Sequence, residues 1–324
     1  MDLAGRLSDS LKEIMHINKG EVALIIHDDY AWQVCETTKK ALELEGVDVH
    51  TYKLPEDRRP LNATPKDLAD LLESLRPDMV FNQFKGFGEE TPFRIALHNE
   101  ESKYVARVGL SPDINMYMIE HPMTADFKEI KQNAERLKAK FKGVKMVRLT
   151  TKKGTDLTFS IEGRDFADDI TIQPGHMGNL PSGEMWCAPV ETSMNGTIVV
   201  DGSIGDIGQV SKDLIITVRD GFVISLESED KNLVKRVDKL LSVDREAKLA
   251  GEFGIGLNPK ARLTGILLED EKAGRTLHIA FGANEDMPGG RNGSMTHRDF
   301  LFIEPSIIVV ETGEYLMKDG NILV

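Results

Sequence analysis

Two histidines and an aspartate in the C-terminal part of the sequence have the residue types and spacing of metal ligands. In the segment Thr-His297-Arg-Asp299, a strand places His297 and Asp299 on one face, because residues i and i+2 of a strand share a face. His278 lies upstream in Thr-Leu-His-Ile-Ala-Phe-Gly, where its own strand face otherwise carries only tiny side chains. Two imidazoles and a carboxylate that converge form a metal site, either of the zinc type or of the two-histidine, one-carboxylate type found in iron oxygenases.

Two further carboxylates lie in glycine-rich sequence. Glu184 ends the segment Gly-Asn-Leu-Pro-Ser-Gly-Glu184, where a turn is expected to enter a short strand, and Glu252 lies in Gly-Glu252-Phe-Gly-Ile-Gly-Leu-Asn-Pro. Closely spaced glycines let the backbone approach a ligand, and we expect the second segment to be a loop. Taken singly, each glutamate is more typical of a solvated or turn-capping residue than of a metal ligand.

The composition limits the class of protein. With 324 residues, 40% of them hydrophobic, the chain can form one large or two medium domains. No apolar run approaches the ~18 residues of a membrane span, and the polar N-terminus is unlike a secretory signal, which predicts a cytoplasmic protein. The net charge of −13 disfavours nucleic acid and membranes as partners. Cys35 and Cys187 are isolated, so any metal must be bound by histidine, aspartate and glutamate.

The elements that must position these residues fall into two predicted domains, residues 1–122 and 123–324. In the first, expected helices at 2–17 and 30–44 alternate with strands at 22–27, 47–54 and 79–82, a rhythm that predicts a Rossmann-like parallel sheet. In the second, a helix at about 124–141 precedes many short strands, interrupted by one helix at about 231–241. The predicted fold class is therefore α/β, with an N-terminal parallel sheet and a strand-dominated α+β domain that carries the candidate site.

Four segments resemble the aminopeptidase T family of metallopeptidases in their order and approximate spacing. They are Gly178-Asn-Leu-Pro-Ser-Gly-Glu184, Glu252-Phe-Gly-Ile-Gly-Leu-Asn-Pro, Asp270-Glu-Lys-Ala-Gly-Arg-Thr-Leu-His278-Ile-Ala-Phe-Gly and Asn292-Gly-Ser-Met-Thr-His297-Arg-Asp299. The resemblance covers most of the C-terminal domain. It implies a homodimer and a site for two divalent cations (Zn, Co or Mn) whose ligands are Glu184, Glu252, His278, His297 and Asp299.

A hydrolase of this type also needs a general base and a donor for the oxyanion. Glu269, Glu271 and Glu285 are near in sequence and nothing in the sequence distinguishes them; we take Glu271 as the candidate, although each is individually more typical of an exposed charge. Family members carry a tyrosine shortly after the first histidine, and none occurs between His278 and His297. Arg291 or Asn292 could supply the donor instead.

The sequence thus predicts a metal-dependent aminopeptidase that removes N-terminal residues from peptides through water activated at a dinuclear site. The alternative is a non-haem Fe(II) ring-cleaving dioxygenase acting on a small molecule, because dihydroxypyridine dioxygenases are more distant relatives of the same family. In that case His278, His297 and Asp299 alone bind one iron ion.

Overall fold

The computed structural model describes residues 1–324, and its elements follow the expected change from alternating helices and strands to a strand-rich pattern. The helices are α1 (Leu3–Met15), α2 (Trp32–Leu44), α3 (Lys66–Leu75), α4 (Thr91–Tyr104), α5 (Met116–Glu120), α6 (Phe127–Phe141), α7 (Lys231–Leu240) and α8 (Leu267–Asp270). The strands are β1 (Val22–His27), β2 (Asp48–Lys53), β3 (Met79–Gln83), β4 (Arg107–Leu110), β5 (Met146–Thr150), β6 (Asp156–Ser160), β7 (Ala167–Asp168), β8 (His176–Asn179), β9 (Glu184–Cys187), β10 (Asn195–Val200), β11 (Ser203–Ile204), β12 (Gly208–Gln209), β13 (Leu214–Arg219), β14 (Phe222–Glu227), β15 (Ala250–Gly256), β16 (Thr276–Gly282), β17 (His297–Ile303), β18 (Ser306–Val309), β19 (Tyr315–Lys318) and β20 (Asn321–Ile322). None of the helices combines the length and the apolar composition that a membrane span requires.

The chain divides into two compact units. Unit 1 consists of Met1–Lys128 and Asp169–Ser182, and unit 2 consists of Glu129–Asp168 and Gly183–Val324. The predicted boundary at residue 122 stays a prediction.

Unit 1 is built on a parallel sheet of five strands in the order β2-β1-β3-β4-β8. Its two central strands, β1 and β3, are buried along almost their whole length, as expected for strands covered by helices on both faces. Apolar residues of β1 and β3 pack with leucines of α3 and α4, such as Leu68 and Leu97, into one core. The Rossmann-like prediction for this part of the fold is confirmed.

The edge strand β8 was not predicted. It lies beyond the long helix α6 in the sequence, yet it pairs in parallel with β4, with Arg107 opposite His176 and Leu110 opposite Asn179. The segment is short and its burial pattern is exposed to intermediate, so it lacks the apolar run by which a buried strand is recognised.

Unit 2 contains two largely antiparallel sheets. One has eight strands in the order β14-β13-β10-β6-β5-β18-β19-β20, and the other has seven in the order β12-β11-β17-β16-β15-β9-β7. The strand-dominated prediction for the C-terminal part is confirmed, and the seven-stranded sheet carries every predicted metal ligand.

An aromatic cluster anchors the centre of that sheet. Phe253 of β15 makes edge-on contacts with three other rings, with centroid distances of 5.2 Å to Phe159, 5.9 Å to Phe166 and 6.1 Å to Phe141. We call these four residues the phenylalanine cluster. Because side chains alternate along a strand, burying Phe253 on one face directs its neighbour Glu252 to the other.

Candidate metal centre

Strand register brings the five predicted ligands to one face of the seven-stranded sheet. They come from four adjacent strands, β17, β16, β15 and β9. The pairings His278↔Gly254, Ala280↔Glu252, Ala280↔Asp299, Gly282↔His297 and Gly256↔Glu184 link residues that share a face. His278, His297 and Asp299 therefore lie on one face of the sheet, together with Glu184 and Glu252. The alternation of side chains along each strand predicted the shared face of His297 and Asp299.

Small residues between the ligands leave room for the imidazole of His278. Gly254 lies directly opposite His278, and a Cβ at this position would stand only 1.8 Å from His278 Nε2. The glycine-rich segment around Glu252 is thus strand β15 and not the predicted loop. Its glycines keep the sheet face clear for side chains from the neighbouring strands, which is a reason for closely spaced glycines inside a strand.

Short contacts connect the cluster. His278 Nε2 lies 3.0 Å from Glu252 Oε1 and 3.6 Å from Glu184 Oε2. His297 Nε2 lies 3.0 Å from Glu252 Oε2 and 3.4 Å from Asp299 Oδ1. Glu252, His278 and Asp299 each offer a ligand atom within 4.8 Å of the others. The face therefore concentrates two imidazoles and three carboxylates around a small volume.

Two features show that this donor set fits divalent cations. His297 Nδ1 lies 2.7 Å from the backbone carbonyl oxygen of Ala283, which can only accept, so Nδ1 carries the hydrogen and Nε2 of the neutral ring is free to coordinate. Glu184 Oε2 is buried without a hydrogen-bond partner, which is costly unless the oxygen binds a cation. Nitrogen and carboxylate donors without thiolates suit Zn, Co or Mn.

The carboxylates of the cluster favour positive charge on the two histidines. Burial acts to lower the pKa of His278, but Glu252 and Glu184 outweigh it and raise the pKa to about 9. The pKa of His297 is likewise raised against its burial, by Asp299 and Glu252. Burial acts to raise the pKa of Glu252, yet hydrogen bonding with both histidines lowers it. The site is thus built to hold positive charge.

The candidate base Glu271 lies beside this cluster. Burial, opposed by the nearby Lys272 and reinforced by the charges of Glu184 and Asp299, raises the pKa of Glu271 to about 8. Lys272 Nζ contacts Glu271 Oε1 and donates a 2.8 Å hydrogen bond to Glu184 Oε1. A carboxyl group with a raised pKa beside metal ligands is the expected environment of a general base.

The other candidates from the sequence are placed differently. Glu269 is fully buried and accepts a hydrogen bond from the backbone of Arg262, and Glu285 is exposed. Arg291 is exposed, and its backbone N–H donates to Glu191. The Asn292 amide donates to two backbone carbonyl oxygens, 3.1 Å away each. The role of Arg291 as oxyanion donor stays a prediction.

Sequence reasoning missed Lys272 and misjudged its neighbourhood. The charges that follow Leu268 were expected to be exposed, but Glu269, Asp270 and Lys272 are fully buried. The expectation was wrong because these groups have local partners: Asp270 accepts hydrogen bonds from the backbone of Thr264 and Gly265. The signal available in the sequence was a run of four charges that directly follows Leu-Leu and precedes an apolar strand by three residues.

Comparison with solved structures shows the fold. A 2,5-dihydroxypyridine dioxygenase from Pseudomonas putida KT2440 is 17% identical, with a TM-score of 0.74 over 99% of this chain and 97% of that chain. Wild-type AmpT from Thermus thermophilus is 15% identical, with a TM-score of 0.71 over 99% of both chains. A comparison with curated proteins finds no match.

Comparison with family models identifies the metallopeptidase family. The model described as thermophilic metalloprotease (M29) matches residues 114–321, which is more than half of the chain and includes all five predicted ligands. The expected resemblance to the aminopeptidase T family is confirmed by this match and by the AmpT structure. The chain belongs to the M29 family of thermophilic metalloproteases.

Proposed function

We propose that this protein is a metal-dependent aminopeptidase that hydrolyses the N-terminal bond of peptides at a dinuclear site. The observation that carries the proposal is the single sheet face on which a member of the M29 metallopeptidase family presents Glu184, Glu252, His278, His297 and Asp299. Three carboxylates and two imidazoles would supply enough donors to hold two divalent ions, and the two oxygens of Glu252 face different histidines.

Ions bound at these residues would supply an activated water molecule and a positive charge that polarises the substrate carbonyl. Glu271 is then the proton carrier. Lys272 occupies Glu271 Oε1, which leaves Oε2 to take a proton from the attacking water and to deliver it to the leaving amine. The substrate is an unblocked peptide, because its free N-terminal amine can bind at an open position of a metal ion or pair with an acidic side chain.

The test combines metal analysis with peptide cleavage. Gently purified protein should contain about two Zn, Co or Mn ions per chain and should release amino acids from aminoacyl anilides and unblocked peptides. Chelation should abolish cleavage, and peptides with an acetylated N-terminus should resist it. His278→Ala should lose both the metal and the activity. Metal-replete protein that cleaves no member of a peptide library would refute the proposal.

A ferrous ring-cleaving dioxygenase is the second candidate, because the dioxygenase from Pseudomonas putida shares the fold over nearly the whole chain. In this case His278, His297 and Asp299 bind a single iron ion. Glu184 and Glu252 argue against it, since they add two buried carboxylates that such a site does not need. One iron per chain, with oxygen uptake on a dihydroxylated heteroaromatic compound, would favour the dioxygenase.

The proposal also includes the homodimer that the family resemblance implies and a cytoplasmic location. Light scattering during size-exclusion chromatography tests the dimer, and fractionation of the native cells tests the location.

A further inference from the structure

Lys272 is a fully buried lysine at the edge of the metal centre. It follows α8 and precedes β16, and its side chain is 0% exposed. Its ammonium group contacts two carboxylates at once, through a 2.8 Å hydrogen bond to Glu184 Oε1 and a contact with Glu271 Oε1. A buried ammonium ion is costly to desolvate, so these two contacts must offset a substantial penalty.

The two carboxylates that Lys272 joins are used differently. Glu184 has its second oxygen, Oε2, buried and unpartnered at 3.6 Å from His278 Nε2, which directs it toward the metal position. Glu271 shares the ammonium group of Lys272 with Glu184, so its carboxyl group lies beside that of a predicted metal ligand. A flexible carboxylate so close to divalent ions would coordinate them unless another cation held it.

We propose that Lys272 is a positioning residue that keeps Glu271 out of the metal coordination shell. Its ammonium group binds Glu184 Oε1 and Glu271 Oε1, and it holds Glu271 as a carboxylate that exchanges protons but does not ligate. Without Lys272, Glu271 becomes an additional ligand. The part of this inference that concerns proton exchange rests on the proposed function, whereas the part that concerns coordination does not.

A double-mutant cycle on metal binding tests the inference without any assay of activity. The variants are Lys272→Met, Glu271→Gln and their combination, titrated with Mn²⁺ and with Zn²⁺ in calorimetry. Lys272→Met should bind metal about tenfold more tightly, because the site gains a ligand and loses a positive charge. With Lys272 present, Glu271→Gln should change the Kd for metal by less than about threefold. In the Lys272→Met background, the same substitution should change the Kd by about tenfold or more. If Glu271 acted on the metal only through its charge, Glu271→Gln would instead change the Kd by the same factor with and without Lys272.

Weaker metal binding by Lys272→Met, or equal effects of Glu271→Gln in both backgrounds, would overturn the inference. Lys212→Met is the matched control, since it removes an exposed lysine that is 2.7 Å from Glu229 and should leave metal binding unchanged. If Lys272→Met does not fold, Lys272→Gln carries the same cycle, because it removes the charge and keeps a donor for one carboxylate.

Activity gives a separate readout. At saturating metal, kcat of Lys272→Met should fall by about 100-fold or more, since Glu271 no longer serves as base. Unchanged kcat would contradict the inference. If the wild-type protein cleaves no peptide, the proposed function fails, and the metal-binding cycle still decides the role of Lys272.

Discussion

The substitution Gly254→Ala should disrupt the metal centre by adding a single methyl group. The added Cβ would stand 1.8 Å from His278 Nε2, 2.1 Å from Cε1 and 2.5 Å from Cδ2, whereas real Cβ contacts are essentially never below 3.0 Å. The ring therefore has to move by about 1.2 Å. It is 1% exposed and cannot move without displacing its neighbours. Overpacking of this kind costs about 1–3 kcal/mol of folding free energy.

The effect on function should be larger than the effect on stability. A displacement of about 1 Å at a reacting centre can cost about 100-fold in rate, and displacement of His278 Nε2, a predicted ligand atom, should weaken metal binding by a similar factor. Calorimetric titration with Mn²⁺ measures the binding, and urea denaturation in chelator measures the stability. Gly88→Ala is the control, because a Cβ there would meet no atom within 4 Å. A folded Gly254→Ala protein that binds metal as tightly as wild type would refute this reasoning.

Three further outcomes follow from the contacts described. Glu271→Gln should lower kcat by about 100-fold to 10,000-fold with unchanged metal content, and steady-state kinetics with parallel elemental analysis measure both. Asp168→Asn should lower Tm at pH 7, because burial acts to raise the pKa of Asp168 but hydrogen bonds from Lys138 and Lys131 outweigh it and lower that pKa. A lowered carboxyl pKa contributes stability above the unfolded value near 4 that is lost as the pH falls through the folded value, so the difference in Tm from wild type should shrink in acid; a constant difference from pH 3 to 7 would contradict it. Phe253→Ala should cost about 3–5 kcal/mol in urea denaturation because it empties the centre of the phenylalanine cluster, and a cost below about 1 kcal/mol would show that the cluster does not stabilise unit 2.

Local patterns were sufficient to predict the faces of the site strands. The period of two placed His297 and Asp299 together and Arg298 away, and Arg298 indeed lies 3.2 Å from Asp206 instead of in the cluster. The convergence of Glu184 and Glu252 on the same face depended on the register between strands that are far apart in sequence. Periodicity does not contain that register, so only the family resemblance suggested it before the structure was known.

Burial of charge was the property least accessible to the sequence. Lysine side chains are usually exposed in proteins. Lys272 is buried beside Glu184, which is 88 residues away in the sequence. Glu252 was misassigned to a loop because glycine usually weakens a strand, whereas here Gly254 is required by a ring on the neighbouring strand. In both cases a tertiary contact decides what the local sequence leaves open.

The late return of the chain to the first sheet has a consequence for synthesis. In strand β8, His176 pairs with Arg107 of β4. During synthesis, the sheet of unit 1 therefore lacks its fifth strand until residue 179 has emerged from the ribosome. By then α6 and the β5–β6 hairpin have already left the ribosome. Until β8 arrives, β4 presents an unpaired edge that other chains could add to. A fragment that ends at residue 122 would keep that edge permanently, so we expect it to aggregate, whereas a fragment of residues 1–128 joined through a short linker to residues 169–182 should remain monomeric.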